Sequence, residues 1–105
     1  MKANHLEHIA SLLHPLFEKK GVAKALIFGS YARQLETRKS DIDLMIVLET
    51  EKRFFDRYDD FYDIYEHLRG AEIDLLIYTP EELEKISHRP FIQKILKEGY
   101  PIYEH

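Results

Sequence analysis

The sequence of 105 residues has no cysteine. Disulfide bridges, thiolate metal sites and cysteine nucleophiles are therefore excluded, and an intracellular setting is the default for such a chain. It also lacks any run of about 18 apolar residues, the length that crosses a membrane, and the apolar residues near its N-terminus are spaced rather than continuous. We therefore expect a cytoplasmic protein that has no membrane partner.

An excess of positive charge is absent, because 15 lysines and arginines stand against 19 aspartates and glutamates and give a net charge of -4. This balance argues against a general nucleic-acid coat, so direct binding of nucleic acid is not expected. Any phosphate that the protein binds must be held locally. The length suits one core and the 45% apolar fraction supports it. We predict a single domain over residues 1–105.

Glycine is also scarce, and each of the four glycines falls at a boundary between predicted elements. Hydrophobic periodicity predicts helices over residues 5–20, 30–36 and 54–68, and strands over residues 22–28, 41–48 and 72–78. Further helices are predicted to open after Thr79 and at Pro90, and the tail over residues 100–103 predicts a short edge strand that tolerates Pro101. We expect Pro15 to kink the first helix or to shorten its last turns.

Aromatic residues recur at steps of three and four in the helix predicted over residues 54–68, whose remaining positions are acidic. Such a stripe is typical of a helix with one buried face. We therefore predict that Tyr58, Tyr62 and Tyr65 lie in the core. The alternative is that residues at the edge of the stripe contact a partner protein.

Two aspartates in one strand form the most informative pattern of the sequence. Asp41 and Asp43 lie two positions apart, so a strand places them on one face about 7 Å from each other, close enough to share divalent cations such as Mg²⁺. Met45 and Val47 continue that face as apolar positions. The two acids are thus expected beside a core, where a carboxylate needs a role.

Other residues complete a candidate phosphate-transfer site. Asp74 lies in the third predicted strand, and if that strand pairs beside the second, Asp74 can complete the carboxylate cluster; Glu72, on the same face, is the alternative third ligand. Gly29 and Ser30 follow the first strand, where the first amides of the next helix and the serine hydroxyl make a phosphate cradle. Arg33 either reaches the phosphates or pairs with an acid on its own helix.

The segment GSYARQLETRKSDIDL resembles the signature of the minimal nucleotidyltransferase (MNT) branch of the DNA polymerase beta-like nucleotidyltransferase superfamily, and the third acid in EIDLLIY fits it. The resemblance implies an α/β (α+β) nucleotidyltransferase fold, a small mixed β-sheet flanked by helices. It implies a phosphate-binding turn at Gly29 and Ser30, and catalytic, metal-binding carboxylates at three positions: Asp41, Asp43 and Asp74. Two Mg²⁺ ions as cofactors and ATP as substrate are implied with them. The sequence departs from the pattern at Gln34, where the family more often has glycine.

The resemblance also implies a partner. MNT proteins are commonly encoded beside a HEPN-domain protein, and in such toxin–antitoxin pairs the MNT member transfers AMP from ATP to a tyrosine of the HEPN ribonuclease. We expect this protein to be such an antitoxin, in a hetero-oligomer with its toxin or as a homodimer. Two alternatives stay open: nucleotidyl transfer to a small molecule or an RNA end, and a non-catalytic module that masks a HEPN partner.

Overall fold

The computed structural model describes residues 2–29, 41–68 and 71–105. The predicted helix over residues 30–36, and with it Ser30 and Arg33, lies outside the described residues. The elements in chain order are α1 (Lys2–Lys20), β1 (Lys24–Phe28), β2 (Ile42–Val47), a 3₁₀ helix (Phe54–Phe61), α2 (Asp63–His67), β3 (Ile73–Tyr78), α3 (Pro80–Ile86), α4 (Pro90–Glu98) and β4 (Tyr100–Glu104).

The four strands form one mixed sheet in the order β3-β2-β1-β4. Strand β2 runs parallel to β3, whereas β1 is antiparallel to both β2 and β4. The predicted mixed sheet flanked by helices is confirmed, and so is the edge strand at the C-terminus. Pro101 is tolerated there because β4 has only one neighbour, and the pairing with β1 shifts register next to it, between Ala25 and Leu26.

The sheet buries both of its faces, and β2 supplies alternate side chains to each. On one face Ile42, Leu44 and Ile46 join the larger core with α1. On the other face Met45 and Val47 pack against Ile92 and Ile95 of α4, together with Leu26. The alternation predicted for this strand is confirmed, and it assigns Asp43, two residues before Met45, to the face that α4 covers.

Helix α1 continues through Pro15 to Lys20, so the expected shortening at Pro15 is wrong. Leu13, Leu16 and Phe17 are buried on both sides of the proline. Because these side chains anchor the turns before and after it, tertiary packing outweighs the loss of one backbone hydrogen bond. Among the described residues, no helix combines the length and the apolar character that a membrane span needs.

The segment predicted as one helix over residues 54–68 instead forms the 3₁₀ helix followed by the short α2. Aromatic residues and aspartate are weak helix formers, and this stretch consists largely of both. The change of helix type also rotates the side chains. Tyr62 and Tyr65 are 71% and 41% exposed, so their prediction as core residues is wrong. Tyr58 is partly buried, and its hydroxyl donates to the carbonyl of Leu75 at 2.6 Å.

Candidate active site

Gly29 ends β1 in a conformation that only glycine adopts easily, with φ at 75°. Lack of space also excludes a side chain at this position, because a Cβ at Gly29 would collide with the carboxylate of Asp43 on the adjacent strand. The pairing of Phe28 with Asp43 between β1 and β2 creates this closeness. The predicted phosphate turn therefore begins directly against one of the predicted metal-binding carboxylates.

Asp43 and Asp74 are paired residues of the parallel strands β2 and β3. Paired residues of adjacent strands point to the same side of the sheet, about 4.8 Å apart between strands. Partial burial raises the pKa of Asp43, and the negative charge of Asp74, with a hydrogen bond to its carboxyl group, raises it further. The structure thus brings the two carboxyl groups together, and the ionised form of Asp43 is disfavoured there.

Asp41 lies just before β2, half-buried, and its charge also raises the pKa of Asp43. Within residues 2–29, 41–68 and 71–105, however, no three histidine, aspartate or glutamate side chains are arranged as a group that could hold a metal ion. The structure therefore joins Asp43 to Asp74 and leaves Asp41 within electrostatic reach. Glu72, the alternative ligand, is exposed just before β3, where its carbonyl accepts from the amide of Ile42 at 2.8 Å.

Carboxylate oxygens are ligands that Mg²⁺ prefers, and a hard divalent cation neutralises the negative charge of acids held close together. The pairing of Asp43 with Asp74 on adjacent strands supports this fit. Ser30 and Arg33 lie outside the described residues, so their roles at the phosphates stay predictions, as does the assignment of the three aspartates to metal binding.

A cavity of about 210 Å³ lies beside Gly29 and Asp43. Its remaining walls come from β1 and α4: Phe28, Phe91, Lys94, Ile95 and Glu98. This contribution of α4 was not predicted from the sequence. Positions 91, 94 and 98 are spaced by three and four residues and share one face of a helix, but their spacing does not show where that face lies in the fold.

Tyr65 lies on the β3 side of the carboxylates. Burial of part of the side chain raises the pKa of its hydroxyl, and the charge of Asp74 raises it further. The hydroxyl donates to the carbonyl of Ile73 at 3.4 Å, a long hydrogen bond. The carboxylates thus have a cavity under α4 on one side and an exposed aromatic residue on the other.

A glycine turn set against paired carboxylates is the arrangement expected in enzymes that transfer phosphorus-containing groups from nucleotides. Residues 10–103 match the family of the nucleotidyltransferase domain. The chain belongs to that family and is a nucleotidyltransferase, which confirms the resemblance found in the sequence.

Two relatives from Methanocaldococcus jannaschii carry the name "Putative protein adenylyltransferase". MJ0435 is 36% identical over 75 residues, which cover 71% of this chain and 80% of that protein. MJ1379 is 32% identical over 84 residues, covering 79% of this chain and 78% of that protein.

Solved structures share the fold at lower identity. A toxin–antitoxin structure with AMP-PNP has a TM-score of 0.69 and 17% identity, covering 91% of this chain and 73% of that one. A complex of a tri-AMPylated Shewanella oneidensis HEPN toxin with its MNT antitoxin has a TM-score of 0.57 and 17% identity, covering 100% of this chain and 74% of that one. The fold expected for an MNT protein is therefore confirmed.

Proposed function

We propose that the protein is a Mg²⁺-dependent adenylyltransferase that moves AMP from ATP to a tyrosine hydroxyl of a HEPN ribonuclease toxin. The observation that carries the proposal is the contact of Gly29 with the carboxylate of Asp43, which itself is paired with Asp74. The names of the M. jannaschii relatives and the MNT–HEPN complex among the fold neighbours support protein as the acceptor class.

In the proposed reaction the acceptor oxygen attacks the α-phosphorus of ATP in line, the new oxygen–phosphorus bond forms, and the bond from that phosphorus to the bridging oxygen breaks, releasing pyrophosphate. The Asp74 carboxylate takes the proton of the acceptor hydroxyl. Gly29 and Ser30 hold the β- and γ-phosphates. Asp41, Asp43 and Asp74 are the residues that would hold Mg²⁺, which supplies positive charge against the phosphate oxygens when bound.

The test incubates the full chain with Mg²⁺ and ATP labelled at its α-phosphate, in lysate of its source and separately with the cognate HEPN protein. Asp43→Asn removes the charged oxygen that faces Gly29 and is expected to abolish labelling. Asp59→Asn is the matched control, because Asp59 is exposed on the 3₁₀ helix and the same change there should leave labelling intact.

The expected result is label on one protein band that disappears with Asp43→Asn and persists with Asp59→Asn. Label on RNA or on a small molecule would replace the proposal by the corresponding transferase. If no label depends on Asp43 while the protein still inhibits the toxin, the protein acts by masking instead.

A further inference from the structure

The cavity beside Asp43 has a size and a lining of its own. Its volume of about 210 Å³ is below the roughly 300–1,000 Å³ of pockets that enclose a whole drug-sized ligand, so it suits one flat part of a nucleotide. Gly29 and Asp43 form one end, and the far wall is α4. The cavity is therefore continuous with the place proposed for the phosphates.

Aromatic rings form the apolar part of this lining. Phe28 and Phe91 meet edge to face, with ring centroids 6.1 Å apart and an interplanar angle of 82°. Phe91 is 58% exposed although it is a large apolar side chain. An exposed ring at the rim of a cavity offers a surface for stacking, and stacking of an aromatic side chain on a nucleobase is a recurrent source of affinity.

Two charged side chains line the same cavity from α4. Lys94 and Glu98 are four residues apart and share one face of the helix, so a donor and an acceptor stand side by side. Adenine presents the complementary pair on one edge, an acceptor at N7 and an amino donor at N6. Guanine has a carbonyl oxygen in place of that amino group, which a carboxylate at Glu98 would repel.

We propose that this cavity binds the adenine base of ATP, with Phe91 stacking on the ring, Lys94 donating to N7 and Glu98 accepting from the N6 amino group. The inference rests on the proposed function, because it assigns a subsite to the nucleotide of that reaction. A largely apolar lining disfavours the triphosphate as the occupant. The acceptor is also disfavoured, because Asp74, the proposed base for its proton, does not line the cavity.

The experiment measures the Kd of the full chain, in the presence of Mg²⁺, for ATP, GTP and inorganic tripolyphosphate by calorimetry. Phe91→Ala is expected to raise the Kd for ATP roughly tenfold and to leave the Kd for tripolyphosphate unchanged. Leu96→Ala is the matched control: Leu96 is on the same helix, is 41% exposed and does not line the cavity, so neither Kd should change. Glu98→Gln is expected to reduce the preference for ATP over GTP roughly fivefold or more.

Equal weakening of ATP and tripolyphosphate by Phe91→Ala would overturn the base subsite, as would unchanged binding of ATP. An effect of Phe91→Ala on acceptor KM alone would assign the cavity to the acceptor and overturn it as well. If Phe91→Ala fails to fold, the ratio of the Kd values for ATP and GTP in Glu98→Gln decides.

If the wild-type chain binds no ATP, the proposed function itself fails. If it binds and transfers AMP while both variants bind ATP and GTP like the wild type, only the subsite is wrong.

Discussion

At the scale of single residues, Gly29 meets two demands that differ in kind. Its φ of 75° disfavours any side chain, whereas the nearness of the Asp43 carboxylate leaves no room for one. Gly21 meets only the first demand, because its φ is 74° but nothing lies within 4 Å of the position that a Cβ would take. Substitutions at the two glycines therefore separate the effect of backbone strain from that of displacing the Asp43 carboxylate.

We expect Gly21→Ala to destabilise the protein by about 1–2 kcal/mol through the left-handed backbone, and Gly29→Ala by at least as much, because its Cβ must also displace the Asp43 carboxylate. Only Gly29→Ala should also lower AMP transfer, by roughly 100-fold, because displacement of Asp43 by about 1 Å misplaces the reacting groups. Urea unfolding and a labelled-ATP assay measure the two effects. Equal activity in the two variants would show that the Asp43 carboxylate tolerates a side chain at Gly29.

We predict that the Asp43 carboxylate destabilises the folded protein at neutral pH, although the proposed AMP transfer requires it. A carboxyl group whose pKa is raised by burial and by Asp74 is held in its ionised form at a cost near pH 7. Asp43→Asn is therefore expected to raise Tm by a few degrees at pH 7, and the gain should vanish below about pH 4, where both folded and unfolded chains carry the proton. Calorimetric melts at both pH values measure this.

Added Mg²⁺ should raise the Tm of the wild-type chain, since a ligand that binds only the folded state stabilises it. The same addition should have a smaller effect on Asp43→Asn. Asp59→Asn serves again as the control and should respond to Mg²⁺ like the wild type. A stabilising effect of Mg²⁺ that is unchanged in Asp43→Asn would remove Asp43 from the metal site.

At the scale of elements, the buried Arg57 connects the 3₁₀ helix to β3 and α3. It is 4% exposed and donates to the carbonyl of Ile77 at 3.0 Å and to both carboxylate oxygens of Glu82 at 2.7 and 2.9 Å. Glu82 also accepts from the amide of Thr79 and completes the capping box of α3. These contacts, the Arg57 hydrogen bond first, lower the pKa of Glu82 to about 2.

We expect Glu82→Gln to destabilise the protein by about 1–3 kcal/mol at pH 7, because it leaves the buried Arg57 charge without its partner. A carboxyl group with a lowered pKa contributes its stability above about pH 4.5 and loses it as the pH falls towards 2. The difference between wild type and variant should therefore shrink over that range. Urea midpoints at pH 7, 4.5 and 3 measure it.

Glu81→Gln is the matched control for this pH dependence. Glu81 is the preceding residue on α3, where it is exposed and pairs with the exposed Lys85 at 3.3 Å. An exposed pair of this kind contributes little to stability. Acid profiles of Glu81→Gln and Glu82→Gln that coincide would contradict a stabilising role for the Arg57–Glu82 pair.

Features that a local sequence pattern specifies were predicted correctly, whereas features that depend on contacts between distant residues were not. The alternation of β2 and the Thr79 cap of α3 are local patterns, and both are confirmed. The weak helix formers of residues 54–68 are local too, but which of their side chains are buried depends on contacts with β3 and α3 that are distant in sequence, so the burial of Arg57 and the exposure of Tyr62 were not predicted.

The same distinction holds for the candidate site, part of which strand patterns predict and part of which depends on tertiary packing. A two-residue repeat predicts Asp41 and Asp43 on one face, and the pairing of β2 with β3 brings Asp74 alongside Asp43, as expected. The cavity required knowledge of where α4 packs. Its docking through Ile92 and Ile95 against Met45 is a tertiary event that no short pattern in α4 specifies.

At the scale of the whole molecule, the carboxylates separate two surfaces of different character. The cavity under α4 lies on one side of Asp43. On the other side, next to Asp74, Tyr65 and the more exposed Tyr62 have ring centroids 6.2 Å apart, at the edge of the sheet that β3 forms. Exposed tyrosines are typical anchors of protein interfaces, and the exposed Glu66 follows Tyr65 with a negative charge.

If ATP enters under α4 and the HEPN tyrosine arrives over Tyr62, the two substrates should respond to different substitutions. We expect Tyr62→Ala to raise the KM for the HEPN acceptor roughly tenfold, as truncation of an interface anchor does, and to leave the KM for ATP unchanged. Phe91→Ala should raise the KM for ATP and leave the KM for the acceptor unchanged.

Initial rates of AMP transfer with one substrate varied at a time measure both KM values. The control is Leu12→Ala, at an exposed apolar residue of α1, which should change neither. A Tyr62→Ala enzyme that keeps both KM values would place the acceptor elsewhere on the molecule. The exposed tyrosines at the edge of β3 would then give no reason to place a partner there.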